Sequence, residues 1–307
     1  MRSTHAAFAL TLVLLLGACG SGSKPAASPP STPAGATTTT ASTHGPYAVG
    51  TRTFNFVDSS RPTMANGSEP EKASRTLETL VEYPKASGKF PVIVYIHGFG
   101  AHADNPYSEP FAKAGYVVVA PKFPLTNTDA PGGPNGSDAG NEPTDIAYVL
   151  SQLAKDPDLG AISDTQRVAV FGESLGANVA MNVGFVPKDR DKRVKAVVAA
   201  SGGCAGCAHS IAYTKGAMPI MFVHGSDDPA APYQWSSDEY ARATAPKFFL
   251  TLTGAKHVQY GTPWEPVVAT EAIDFFNRYL KNDTAARAQM FKDANASRVV
   301  TLQGVAS

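Results

Sequence analysis

Beyond residue 46 the chain alternates between short apolar runs and stretches with helical spacing. Pro91 to Ile96 contains Val-Ile-Val-Tyr-Ile with no charged position, the pattern of a strand buried on both faces. Similar runs recur at Tyr116–Ala120, Val168–Phe171, Val194–Ala200, Ile220–Val223 and Lys247–Leu252. Arg52–Val57 and Thr76–Tyr83 read as two opening strands, the second alternating Leu77, Thr79 and Val81. Between these, the spacing predicts helices over Tyr107–Ala114, Thr144–Lys155, Leu175–Val183, Tyr233–Ala243 and Pro266–Leu280. Such alternation predicts an α/β fold, a mostly parallel eight-stranded sheet with helices on both faces and no large lid domain. Chemistry in such sheets gathers where the strands end, at their carboxyl edge. Residues 283–307 carry a short helical pattern around Ala285–Asp293 and a β-prone Val299–Leu302, which leaves open whether this tail packs on the domain or frays.

The first 46 residues follow a different pattern. Arg2 precedes an apolar run from Ala6 to Leu16, too short to span a bilayer core of about 30 Å, and this reads as a signal peptide over residues 1–18. Leu16-Gly17-Ala18-Cys19 resembles the lipobox of bacterial lipoproteins, which implies a lipid on Cys19 and a protein anchored in the cell membrane, facing the extracytoplasmic side. Residues 20–46 are mostly Ser, Thr, Pro, Ala and Gly, a composition that cannot bury enough surface to fold, so 19–46 is expected to be a disordered tether. The folded domain is then 47–282, followed by the tail.

Charge and cysteine content narrow the function. The 26 Lys and Arg against 26 Asp and Glu leave no basic field for a phosphate backbone, so nucleic acid is not an expected partner. Cys204 and Cys207, in an oxidising compartment, are read as a local disulfide; free thiols or a redox or metal pair with His209 are the alternatives. Two cysteines and one histidine leave a structural zinc short of a ligand, and neither metal nor cofactor is expected. A monomer is expected.

Gly172-Glu173-Ser174-Leu175-Gly176 stands between a predicted strand and a predicted helix. Glycines there allow a sharp turn that lifts the Ser174 hydroxyl above the sheet. A serine hydroxyl needs a base to become a nucleophile. Of the seven histidines only His257 lies beyond residue 228, in a loop after the strand ending near Leu252. Between them, His224-Gly225-Ser226-Asp227-Asp228 follows another strand, and a carboxylate there could orient the imidazole; Asp227 and Asp228 compete for that role.

The order Ser174, Asp228, His257 on this strand pattern resembles the α/β-hydrolase superfamily over nearly all of residues 50–282. Gly225, Asp228 and Pro232 are similar to its acid loop, so the resemblance favours Asp228 over Asp227. His97-Gly98-Phe99-Gly100 looks like its oxyanion loop, which implies that the backbone N–H groups of Phe99 and Leu175 hold the oxyanion. Asp58 to Arg61-Pro62, Tyr83-Pro84, Gly115-Tyr116-Val117-Val118 and Asn141-Glu142-Pro143-Thr144-Asp145 resemble bacterial hydrolases of the platelet-activating-factor acetylhydrolase and dienelactone-hydrolase-like group. Glu173 departs from those relatives, which more often carry His there, or Trp in cutinase-like members.

The expected activity is a serine carboxylic ester hydrolase acting on small-molecule or lipid-like esters of short or medium acyl chains. Its rivals are a serine peptidase of the same fold and a non-catalytic envelope lipoprotein. The 201–217 connection is too short for a helical lid, so the site is expected to be open, walled by residues 121–141 and by Phe99, Tyr233, Trp235 and Tyr260, with core packing the alternative role for each aromatic.

Overall fold

The computed structural model describes residues 46–203, 211–214 and 218–305. Nine strands form one sheet: β1 (Val49–Asp58), β2 (Arg75–Pro84), β3 (Phe90–Ile96), β4 (Val117–Lys122), β5 (Ser163–Glu173), β6 (Val194–Ala200), β7 (Ile220–Gly225), β8 (Lys247–Leu252) and β9 (Val300–Val305). Their order is β1-β2-β4-β3-β5-β6-β7-β8-β9. From β4 to β8 all neighbours are parallel, while β1–β2, β2–β4 and β8–β9 pair antiparallel.

All eight expected strands are present, and the count of eight is corrected to nine by the tail. Val300 to Val305 pairs with β8 from Leu252↔Val300 to Lys247↔Val305. This edge strand is buried on one side only, so its sequence lacks the unbroken apolar run that marks the central strands.

Every residue of β3 is buried. Its side chains alternate between two cores, as a period of two requires. Val92, Val94 and Ile96 join Ile146, Val149, Leu150, Val179 and Val183 on one face. Ile93 and Tyr95 join Phe111, Val268, Ala272, Phe275 and Phe276 on the other. Helices α2 (Glu142–Leu153) and α4 (Leu175–Phe185) therefore cover the first face, and α1 (Ser108–Lys113) and α6 (Glu265–Leu280) the second. The remaining helices are α3 (Leu159–Ile162), α5 (Tyr233–Arg242) and α7 (Ala286–Ser297), with a 3-10 turn at Gly136–Asn141. Both α2 and α6 begin earlier than the spacing predicts, because Pro143 and Pro266 sit in the first turn, where a missing N–H costs nothing. Met290 and Ala294 of α7 are buried in the second core, so the tail packs on the domain.

Candidate active site

Four strand ends converge at the carboxyl edge of the sheet. Ser174 occupies the turn from β5 into α4 with φ 55° and ψ −118°, a conformation that L-residues rarely hold. Its flanking glycines are demanded by close approach. A Cβ on Gly172 would lie 2.1 Å from the Gly176 carbonyl oxygen, and one on Gly176 would lie 2.2 Å from that of Ile96.

The Ser174 hydroxyl donates to His257 Nε2 at 2.9 Å, and His257 Nδ1–H donates to Asp228 Oδ2 at 2.7 Å. The second oxygen of Asp228 accepts the N–H groups of Ala230 and Ala231, each at 2.9 Å. Burial by itself would push this carboxyl up. The Ala231 N–H, the His257 imidazole and the Ala230 N–H outweigh burial and hold it below its ordinary value. Asp227 is exposed, and among the described residues its carboxylate accepts only the neighbouring Ser226 hydroxyl, so it is Asp228 that meets the imidazole.

Two supports of this relay have no signal in the sequence pattern. His224 is fully buried, and its Nε2–H donates to the Ala231 carbonyl at 2.8 Å while facing Asp228 Oδ2 at 3.1 Å. Burial pushes its imidazole below the usual range, so it stays neutral there. The Ser201 hydroxyl donates to the His257 carbonyl at 2.9 Å and holds the main chain of the loop. Both residues read from sequence as ordinary strand-end positions.

Phe99 and Leu175 bring their N–H groups to the same edge. Leu175 opens α4, so its N–H has no carbonyl one turn earlier. Phe99 sits in a turn closed by Ala101 N–H to Gly98 O at 3.2 Å, and Gly98 lies directly against Ser174. His97 shapes this turn. Its Nε2 accepts from the Phe123 N–H at 3.3 Å, so the proton is on Nδ1 and is donated to Gly98 O at 2.8 Å. Burial pushes His97 down to about 4, which keeps it uncharged.

The 121–141 segment braces the turn from outside. Gly100 N–H donates to Thr126 O at 2.8 Å, and the Thr126 hydroxyl donates to the buried Glu142 at 2.7 Å. Behind Glu142, Arg75 forks onto Asp138 and Asp145, and Arg61 joins Asp58 to Asp145. The sequence stretches Asp58–Arg61 and Asn141–Asp145 thus meet in one buried ion network that anchors the wall of the site. A cleft of about 270 Å³ lies beyond that wall, between residues 63–76 and 122–131, and holds none of Ser174, Asp228 or His257.

Among the expected pocket aromatics, Phe99 is 53% exposed beside the serine. Tyr233 stacks on Phe249 with centroids 5.2 Å apart and hydrogen-bonds Thr251, which is a packing role. Trp235 is half-buried against Gly203. Tyr260 keeps an exposed ring face while its hydroxyl turns inward to Glu173. Cys19, Cys204 and Cys207 lie outside the described residues.

A mostly parallel sheet covered on both faces, with a serine on a strained strand-to-helix turn, defines an α/β-hydrolase. The chain belongs to the chlorophyllase family, whose profile matches residues 37–211, more than half of its length, and it therefore has the scaffold of an ester hydrolase. That span holds His97–Gly100 and the Ser174 turn and stops short of Asp228 and His257, so the family match does not cover them. No curated protein matches the chain.

Proposed function

We propose that this protein is a serine carboxylic ester hydrolase that works through an acyl-enzyme. The observation that carries the reading is the continuous relay Ser174–His257–Asp228, with bonds of 2.9 and 2.7 Å, set on the strained turn. His257 Nε2 takes the hydroxyl proton as Ser174 Oγ attacks the ester carbonyl, and the Asp228 carboxylate stabilises the imidazolium that forms. The N–H groups of Phe99 and Leu175 receive the developing oxyanion, a contribution of about 3 kcal/mol per donor. His257 then protonates the departing alcohol. Water enters, gives its proton to the same nitrogen and releases the acid, restoring Ser174.

The chlorophyllase family is named for chlorophyll; for this chain we propose short or medium acyl esters. Ser174 and His257 are only half-buried and Phe99 is exposed, and among the described residues no enclosed apolar groove stands at the serine to reward each added methylene by about 0.8 kcal/mol, which supports this reading. A p-nitrophenyl ester series should peak at short or medium chains, with no rate jump at the micellar limit. A fluorophosphonate should label the protein and leave Ser174→Ala unlabelled. Labelling of the alanine variant, or a preference for peptide over ester substrates, would overturn the proposal.

The location proposed is extracytoplasmic, with a lipid on Cys19, and the support for it is the Leu16–Cys19 sequence. A Cys19→Ala protein should leave the membrane fraction.

A further inference from the structure

Glu173, immediately before the serine, is only 9% exposed, and the proposed chemistry makes no use of it. Its Oε2 accepts the Tyr95 hydroxyl at 2.6 Å and also the Tyr260 hydroxyl. These bonds join three elements: Glu173 ends β5, Tyr95 lies on the neighbouring β3, and Tyr260 stands three residues after His257. Burial pushes the carboxyl up, and the two phenol hydroxyls with the nearby His257 offset part of that cost.

The loop around His257 explains what such a costly group could do. On its upstream side the loop is tied to the domain by Asp227 N–H to Ala255 O at 3.0 Å and by the Ser201 hydroxyl on His257 O. Downstream the bonds are local: Gln259 Nε2 to Lys256 O, Thr262 N–H to Gln259 O, and Gly261 N–H to Glu265 at the start of α6. Val258 is 49% exposed and packs little. Among the described residues, the Tyr260 hydroxyl is the one hydrogen-bonding group of 258–262 that reaches back to the central strands. The Tyr107 ring meets that of Tyr260 edge-on at 6.0 Å and adds packing without a polar tie.

We propose that Glu173 is a positioning residue: through the Tyr260 hydroxyl it latches the loop that carries His257, so that the imidazole meets Ser174 and Asp228 together. The inference rests on the triad reading above and assigns the carboxylate no contact with substrate. A nitrogen displaced by about 1 Å can lower a rate by up to a hundredfold, so a latch on the base loop acts on turnover while leaving ground-state binding largely alone.

The test measures p-nitrophenyl ester kinetics per serine titrated with a fluorophosphonate, which removes any loss due to unfolded protein. Tyr260→Phe deletes a single oxygen and should lower kcat by about tenfold with KM nearly unchanged. Glu173→Leu should lower kcat too, but by no more than Tyr260→Phe, because the Tyr260 hydroxyl still meets that of Tyr95. The double variant should be no worse than the poorer single, because both break one link. Glu173→Gln, whose amide oxygen still accepts the phenols, should recover most of the turnover. If Glu173→Leu fails to fold, Tyr260→Phe and Glu173→Gln still decide the matter. Wild-type kcat in Tyr260→Phe, or losses that multiply in the double variant, would overturn the latch. If the wild-type protein itself takes no fluorophosphonate, it is the triad reading that fails, and the latch loses its premise with it.

Discussion

Replacing Ser174 by glycine should make the protein more stable than replacing it by alanine, although both variants lose the proposed nucleophile. At φ 55° and ψ −118° a side chain with a Cβ is strained by about 1–3 kcal/mol, and glycine is not. Glycine gives back about 0.5–1 kcal/mol through the larger freedom of its unfolded chain. Both substitutions remove the bond to His257, so that loss cancels in the comparison. The net expectation is a glycine variant more stable by about 1 kcal/mol, or roughly 2–4 °C in Tm for a domain of this size. Calorimetry or urea unfolding of the two proteins measures the difference directly. Ser151, in the interior of α2, serves as control, because there the usual order should hold and alanine should exceed glycine by about 0.5–1 kcal/mol. If Ser174→Gly proves no more stable than Ser174→Ala while Ser151 behaves as expected, the strain argument is wrong.

Three further outcomes are expected. Asp228→Asn should lower kcat by about 10⁴-fold by offering His257 the wrong hydrogen-bond partner, whereas Asp227→Asn should leave ester turnover unchanged; the reverse result would move the acid role to Asp227. Arg75→Met leaves Asp138 and Asp145 facing each other in the core and should cost about 3–5 kcal/mol by urea unfolding, so an unchanged midpoint would show that the ion network holds nothing. Glu271 is fully buried with no hydrogen-bond partner on either oxygen among the described residues, and burial, with Asp274 and Asp293 nearby, pushes it up to about 8. Since the folded form keeps this proton while the unfolded chain releases it above about 4.3, stability should fall as pH rises from about 4.3 to about 8, and Glu271→Gln should flatten that slope in unfolding curves taken across the range.

The strands buried on both faces were legible in the sequence because their environment is uniform: a residue surrounded by apolar side chains must itself be apolar, whatever its partners. That is why Val92 to Ile96 and Ala196 to Ala200 could be read without a structure, and β9 could not. Edge pairing is chosen by what lies beside a strand, and the same Val299–Leu302 would suit a frayed tail. Ser174 was legible for a local reason too, since the close approach around Gly172 and Gly176 requires glycines at those two positions. Residue pattern alone leaves Asp227 and Asp228 open and only the family resemblance favours Asp228; the physical reason lies in the fold, where the Ala230 and Ala231 amides and the His257 ring all reach Asp228.

Glu173 marks the boundary between these two kinds of information. In sequence it was an oddity beside a serine, and its partners, Tyr95 and Tyr260, stand 78 and 87 residues away. The same holds for His224 behind Asp228, Ser201 behind His257, and the meeting of Asp58–Arg61 with Glu142–Asp145. The sequence by itself determined the central, doubly buried strands and the serine-bearing turn, because backbone sterics and burial act on each segment where it stands. Only the tertiary structure decided which polar groups support them, because a hydrogen bond between distant residues leaves no periodicity in either segment and exists only once the chain has brought both ends together.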